Sequence, residues 1–150
     1  MSSTYADLCR DLSREFGAEH IETLADEGFI EIEGVAVALD ADDEDKPTTL
    51  TCYVDLGEVG EGNRLDLLQN VLSTNLELVG TPYGSIGLDE ETDHLVLSRT
   101  VAWGAGPASS AVMAMLRTLA QFAADFRVHS GNSGEAKSAG AEYSMALMRG

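Results

Sequence analysis

A chain of 150 residues that is 44% apolar can build one hydrophobic core and is too apolar to stay disordered. Its net charge of −17 is lopsided: residues 1–61 carry 17 acids and 3 bases, net −14, and residues 62–150 carry 9 acids and 6 bases, net −3. Nucleic-acid backbones and anionic membrane surfaces are held by Lys and Arg, so a charge of this sign excludes both as partners.

The opening MSSTYADLCRDLSREF has no basic segment followed by an apolar one, and no apolar run approaches the roughly 18 to 20 residues of a membrane span, so a soluble, cytoplasmic protein is expected. Cys9 and Cys52 stand alone, without a CxxC pair, which suits a reducing compartment and small buried apolar roles.

Thr4 followed by Asp7 is a capping-box pattern, and Tyr5, Leu8, Leu12 and Phe16 then form one apolar stripe, predicting a helix that Gly17 closes. Asp7 with Arg10 and Asp11 with Arg14 face outward as i,i+3 pairs. After a linker the period changes to two. Ile30 and Ile32 alternate with Glu31 and Glu33, and Val35, Val37 and Leu39 alternate after Gly34, giving a hairpin that turns near Glu33 and Gly34. Beyond the acidic stretch ALDADDEDK, Leu50, Cys52, Val54 and Leu56 share one face of a third strand, with Thr49, Thr51, Tyr53 and Asp55 on the other.

The glycines of GEVGEGN break the pattern before RLDLLQNVLSTNLELVG, a helix with two apolar stripes. One is Leu65, Leu68, Leu72, Leu76 and Val79; the other is Leu67, Val71 and Leu78. So wide a band implies burial on two sides, and the second side is read as another copy of the chain, with Leu67, Val71 and Leu78 at the dimer interface; cover by the last helix is the alternative. Two short strands follow, at Tyr83 to Leu88 and His94 to Val101. Pro107 falls in the first turn of a last helix on which Val112, Leu116, Leu119, Ala123 and Phe126 recur, ending near Val128. Residues 1–129 are thus one α+β domain, a twisted antiparallel sheet with helices in the order α-β-β-β-α-β-β-α. Residues 130–150 are expected to be a flexible tail with apolar spacing for a short helix from Ala141 to Arg149.

Four carboxylates and a histidine crowd Asp89 to His94, but between two strand patterns they read as a solvated hairpin tip. No second His or Cys cluster supplies metal ligands, and a wet tip does not push carboxylate pKa values apart; no metal and no cofactor is expected. ALDADDEDK imitates a calcium loop but has Asp45 where Gly is needed and Thr51 where a bidentate Glu is needed. In GAGPAS, Ser109 replaces the third glycine of a dinucleotide fingerprint and Pro107 removes an amide donor. His20, His94 and His129 are scattered and read as surface or capping residues. An enzyme has no constellation to stand on; the alternative function is a small acidic ligand-binding domain or enzyme using the residues from Asp89 to His94.

The order of elements, together with LLQNVLSTNL, GLDEETDHLVLSRTV and LRTLAQFAADFR, resembles the Tir-chaperone family, the class I chaperones of bacterial type III secretion. The matching positions are Leu68 to Leu76, Gly87 to Asp89, Leu95 to Leu97, and Phe122, Phe126 and Arg127, within a resemblance that spans roughly Ser3 to Val128. Phe126 stands where Trp is common, the loop Asp40 to Asp45 is unusually charged, and the tail is longer than the pattern needs. The resemblance implies a cytoplasmic homodimer that binds the N-terminal segment of a secreted effector protein and keeps it soluble. It further implies presentation to the secretion apparatus, with its ATPase as a partner, and no ATP hydrolysis by the chaperone itself. Leu8, Leu12, Phe16, Phe29, Ile30 and Val37 are the effector contacts expected on that basis. The acidity would serve solubility and speed the capture of a basic effector segment.

Overall fold

In the structure, a computed structural model that describes residues 4–130, the first helix starts where its cap is written. The Thr4 hydroxyl accepts from the Asp7 amide at 3.1 Å and the Asp7 carboxylate accepts from the Thr4 amide at 3.2 Å, opening α1 (Tyr5–Glu15). Gly17, at φ +67°, takes the left-handed conformation that turns the chain after Phe16. The linker beyond contains a helical turn without an apolar period in the sequence, α2 (Thr23–Glu27). It is held from outside. The buried Ser13 hydroxyl of α1 accepts from the Leu24 amide, and Thr23 exchanges hydrogen bonds with the backbone of His20.

Five antiparallel strands follow: β1 (Phe29–Ile32), β2 (Val35–Ala41), β3 (Thr49–Glu58), β4 (Ser85–Asp89) and β5 (His94–Ala102), in the spatial order β1-β2-β3-β5-β4. Glu33 and Gly34 both have positive φ, +52° and +81°, the two-residue turn that matches strand twist and fixes the register of the first hairpin. Between β3 and β4 lies α3 (Arg64–Leu78), and α4 (Ser109–Ser130) closes the domain. Pro107 precedes α4 instead of lying in its first turn: the Ala108 carbonyl accepts the first helical bonds, from Ala111 and Val112. The expected tail lies outside the described residues from 131 onward.

One row of directly opposed residues, Ile30, Val37, Val54, Leu97 and Ile86, crosses all five strands, and every member is buried. Val112, Leu116, Leu119, Ala120, Ala123 and Phe126 of α4 and Leu8 and Leu12 of α1 join it in a single core. The neighbouring row, Phe29, Ala38, Tyr53, Ser98 and Ser85, points the other way, and only Ala38 in it is buried. Period two therefore separates a core face from a partly solvated one.

Cys9 and Cys52 are free and buried, as their isolation in the sequence suggested. Burial pushes the Cys9 thiol up to about 11 and the Cys52 thiol up to about 12. Only the thiolate is nucleophilic, so at about pH 8 native protein should take up no iodoacetamide, while denatured protein should gain an adduct at both cysteines. Intact-mass spectrometry reads both states, and a native adduct would contradict the burial.

Candidate functional site

The structure divides the six expected effector contacts. Leu8, Leu12, Ile30 and Val37 are core residues, which corrects that expectation: an apolar stripe records that a face is covered, and here the cover is the chain's own sheet and α4. Phe16 and Phe29 are only half-buried. Together with the edge of Ile30 they line a groove of about 350 Å³ whose other wall comes from Thr23 and Glu27 of α2. At its end the Arg117 guanidinium lies 5.0 Å above the Phe16 ring and bonds Glu15 at 2.8 Å, so the ring is held from one side.

That groove runs beside one edge of the sheet, and the two edges differ. Along β4, Asn75 of α3 accepts from the Ile86 amide at 2.7 Å and donates to the Ile86 carbonyl at 2.8 Å, as a neighbouring strand would. Beyond β1 no strand pairs among the described residues, and no backbone hydrogen bond leads outward from it. An edge of that kind is a template for one more strand.

On α3 the structure turns inward the stripe that was expected at a dimer interface. Leu67, Val71 and Leu78 are buried in the chain's own core, beside β4, and are not available to a second copy. Leu65, Leu72, Leu76 and Val79 are instead exposed by 71%, 71%, 78% and 77%. Leu65, Leu72 and Leu76 occupy one face of the helix, and Val79 follows at its C-cap.

The acidic hairpin tip is more ordered than a wet turn, and its histidine is not on the surface. Asp89 holds the turn through the Glu91 amide and the Thr92 hydroxyl, and Asp93 pairs with Arg64 through both oxygens at 2.7 and 2.9 Å. His94 is 1% exposed, and its Nδ1 lies 2.7 Å from Oδ1 of Asp55, itself 2% exposed. Since a carboxylate only accepts, Nδ1 carries the proton. Arg127 reaches the same residue from α4, its Nη2 donating to the Asp55 carbonyl at 2.6 Å and lying 3.4 Å from Oδ2. Burial pulls the guanidinium below its ordinary range, with Asp55 acting in the opposite sense. A His-Asp pair suggests proton transfer, but a substrate cannot reach groups so enclosed. The cluster ties β3, β5 and α4 together, and among the described residues no group of three or more His, Cys, Asp or Glu side chains converges as metal ligands would. Sequence reasoning missed it; the one available signal was that His94 shares the alternation of the buried Val96.

Comparison with known proteins places this geometry. No family model matches the sequence, and no curated protein matches it either. Among solved structures, a chain from the HopA1-SchA chaperone-effector complex superimposes with a TM-score of 0.61 at 17% identity, covering 82% of this chain and 92% of that one. A chain from the ExsC-ExsE complex gives 0.62 at 20% identity, covering 85% and 93%. The chain has their fold. The expected α+β class with its antiparallel sheet is therefore shared with a component of a chaperone-effector complex, and α2 is the one element added to the expected order. Phe122 and Phe126, part of the resemblance noted in the sequence, stack at 6.3 Å, and Phe122 meets Tyr83 at 5.3 Å. That pattern fixes the end of α4 against the domain.

Proposed function

We propose that this protein is a cytoplasmic class I chaperone of type III secretion that binds the N-terminal segment of one or more effectors in extended form and delivers it without hydrolysing ATP. The observation that carries the reading is the inequality of the sheet edges: β4 is occupied by Asn75, whereas among the described residues no further strand pairs with β1, beside the groove of Phe16 and Phe29. Strand addition supplies backbone hydrogen bonds to almost any sequence, and the groove takes an apolar side chain. Ordering an unfolded segment costs at least roughly 2 to 5 kcal/mol, so a contact surface longer than the four residues of β1 is needed. A homodimer supplies it, formed through the exposed stripe of α3. The fold shared with a chain of a chaperone-effector complex supports this reading, and so does the acidic surface, which keeps a protein with open apolar sites in solution. The secretion ATPase is the further partner of such a complex.

The test is affinity capture from the native bacterium followed by limited proteolysis. The expected product is a protected N-terminal fragment of a secreted protein that has no helix or sheet signal once released. Capture of a partner only through a folded domain would overturn the proposal.

A further inference from the structure

The loop between β2 and β3 is one of the most acidic stretches of the chain, yet its carboxylates have different tasks. Asp42 accepts from the Thr48 and Thr49 amides and the Thr48 hydroxyl, and Asp43 accepts from the Asp45 and Lys46 amides. Those hydrogen bonds, the Thr48 hydroxyl first, hold the Asp42 carboxyl well below the usual carboxylate range. Two acids thus fold the loop. The carboxylates of Glu44 and Asp45 make no hydrogen bond or ion pair among the described residues; the two residues line a cleft of about 750 Å³ between the loop, α1, α2 and the turn after β5. The floor of the cleft is apolar, formed by the buried Leu24, Leu39 and Trp103, and Tyr5, half-buried, is tilted against Trp103 at 6.4 Å. The nearby Arg10 is engaged by Glu22 at 2.7 Å and does not neutralise the rim.

We propose that this cleft, within the chaperone reading on which it rests, receives a short extended segment of the partner in which an apolar side chain is followed by an arginine. The apolar group sits against Tyr5 and Pro47, above the floor of Leu24, Leu39 and Trp103. The guanidinium meets Glu44 and Asp45 and lies against an aromatic face, a combination that favours arginine over any anion and over a neutral residue. A cleft of this volume falls within the roughly 300 to 1,000 Å³ typical of ligand sites.

Trp103 is the only tryptophan, so its fluorescence reports the cleft directly. The probes are two short synthetic peptides, identical except that one carries Leu-Arg and the other Leu-Glu. Only the Leu-Arg peptide is expected to shift Trp103 emission, with affinity falling as salt rises and dropping about fivefold in the double variant Glu44→Gln, Asp45→Asn. Equal responses to both peptides, no response to either, or unchanged affinity in the double variant would overturn the assignment. If the double variant fails to fold, the peptide pair on the unaltered chain decides. Failure to discriminate the peptides while an effector segment is still captured removes the cleft alone; discrimination without any capture removes the chaperone reading alone.

Discussion

Replacing Asp55 with alanine is expected to destabilise the fold by about 3 to 5 kcal/mol, the usual cost of removing one member of a buried charged cluster. The position explains the size of the effect. Asp55 lies at the register shift where β3 bulges against β5, and its Oδ1 accepts from the Gly57 amide at 3.1 Å as well as facing His94. One carboxylate therefore holds the bulge in β3, the first residue of β5 and the last turns of α4. Asparagine keeps an oxygen for Gly57 and the imidazole N–H but loses the charge beside Arg127, so Asp55→Asn should cost less than Asp55→Ala. Urea unfolding followed by circular dichroism measures both, and the alanine variant should move the midpoint without changing the slope. A loss below about 1 kcal/mol would mean that the cluster is incidental to the fold.

Much of the architecture was legible because it is local. The capping box at Thr4 and Asp7, the turn at Glu33 and Gly34, and the alternation from Thr49 to Val54 in β3 depend on neighbours within a few residues, and each appears in the structure where the sequence put it. What stayed hidden depends on partners distant in sequence. The single turn of α2 has no apolar period of its own and exists because Ser13 supplies the Leu24 amide with an acceptor. Asp55, His94 and Arg127 are separated by 39 and 72 positions, so a run of acids beside a histidine looked like a wet tip. The division of α3 is the instructive case. Both of its stripes are leucine-rich, and hydrophobicity alone cannot say which one faces inward. Asn75, four residues beyond Val71 and three before Leu78, marks the inner face, because β4 presents an edge that needs a donor and an acceptor. The candidate effector contacts divided for the same reason, since Phe16 and Phe29 sit where elements end and Leu8, Leu12 and Val37 where elements cross.

The exposed stripe leads to the other large effect. The unaltered chain should have twice its monomer mass by light scattering, and Leu72→Asp with Leu76→Asp should halve that mass while leaving the circular dichroism spectrum and the unfolding midpoint of the monomer intact. Four large apolar side chains from each copy, every one more than two-thirds exposed in the single chain, come together in this pairing. Each contributes about 1.5 to 3 kcal/mol when fully buried, about 12 to 24 kcal/mol for eight side chains, against a cost of association of roughly 4 to 15 kcal/mol. Val71→Asp separates the two stripes. Val71 is buried against the chain's own core, so an aspartate there places an unpaired charge inside the domain and should unfold it, with loss of secondary structure accompanying loss of mass. A Leu72→Asp, Leu76→Asp variant that stays dimeric would place the interface elsewhere than α3; a wild-type monomer would leave the β1 edge and its groove as a site that must bind its partner with one copy's surface alone.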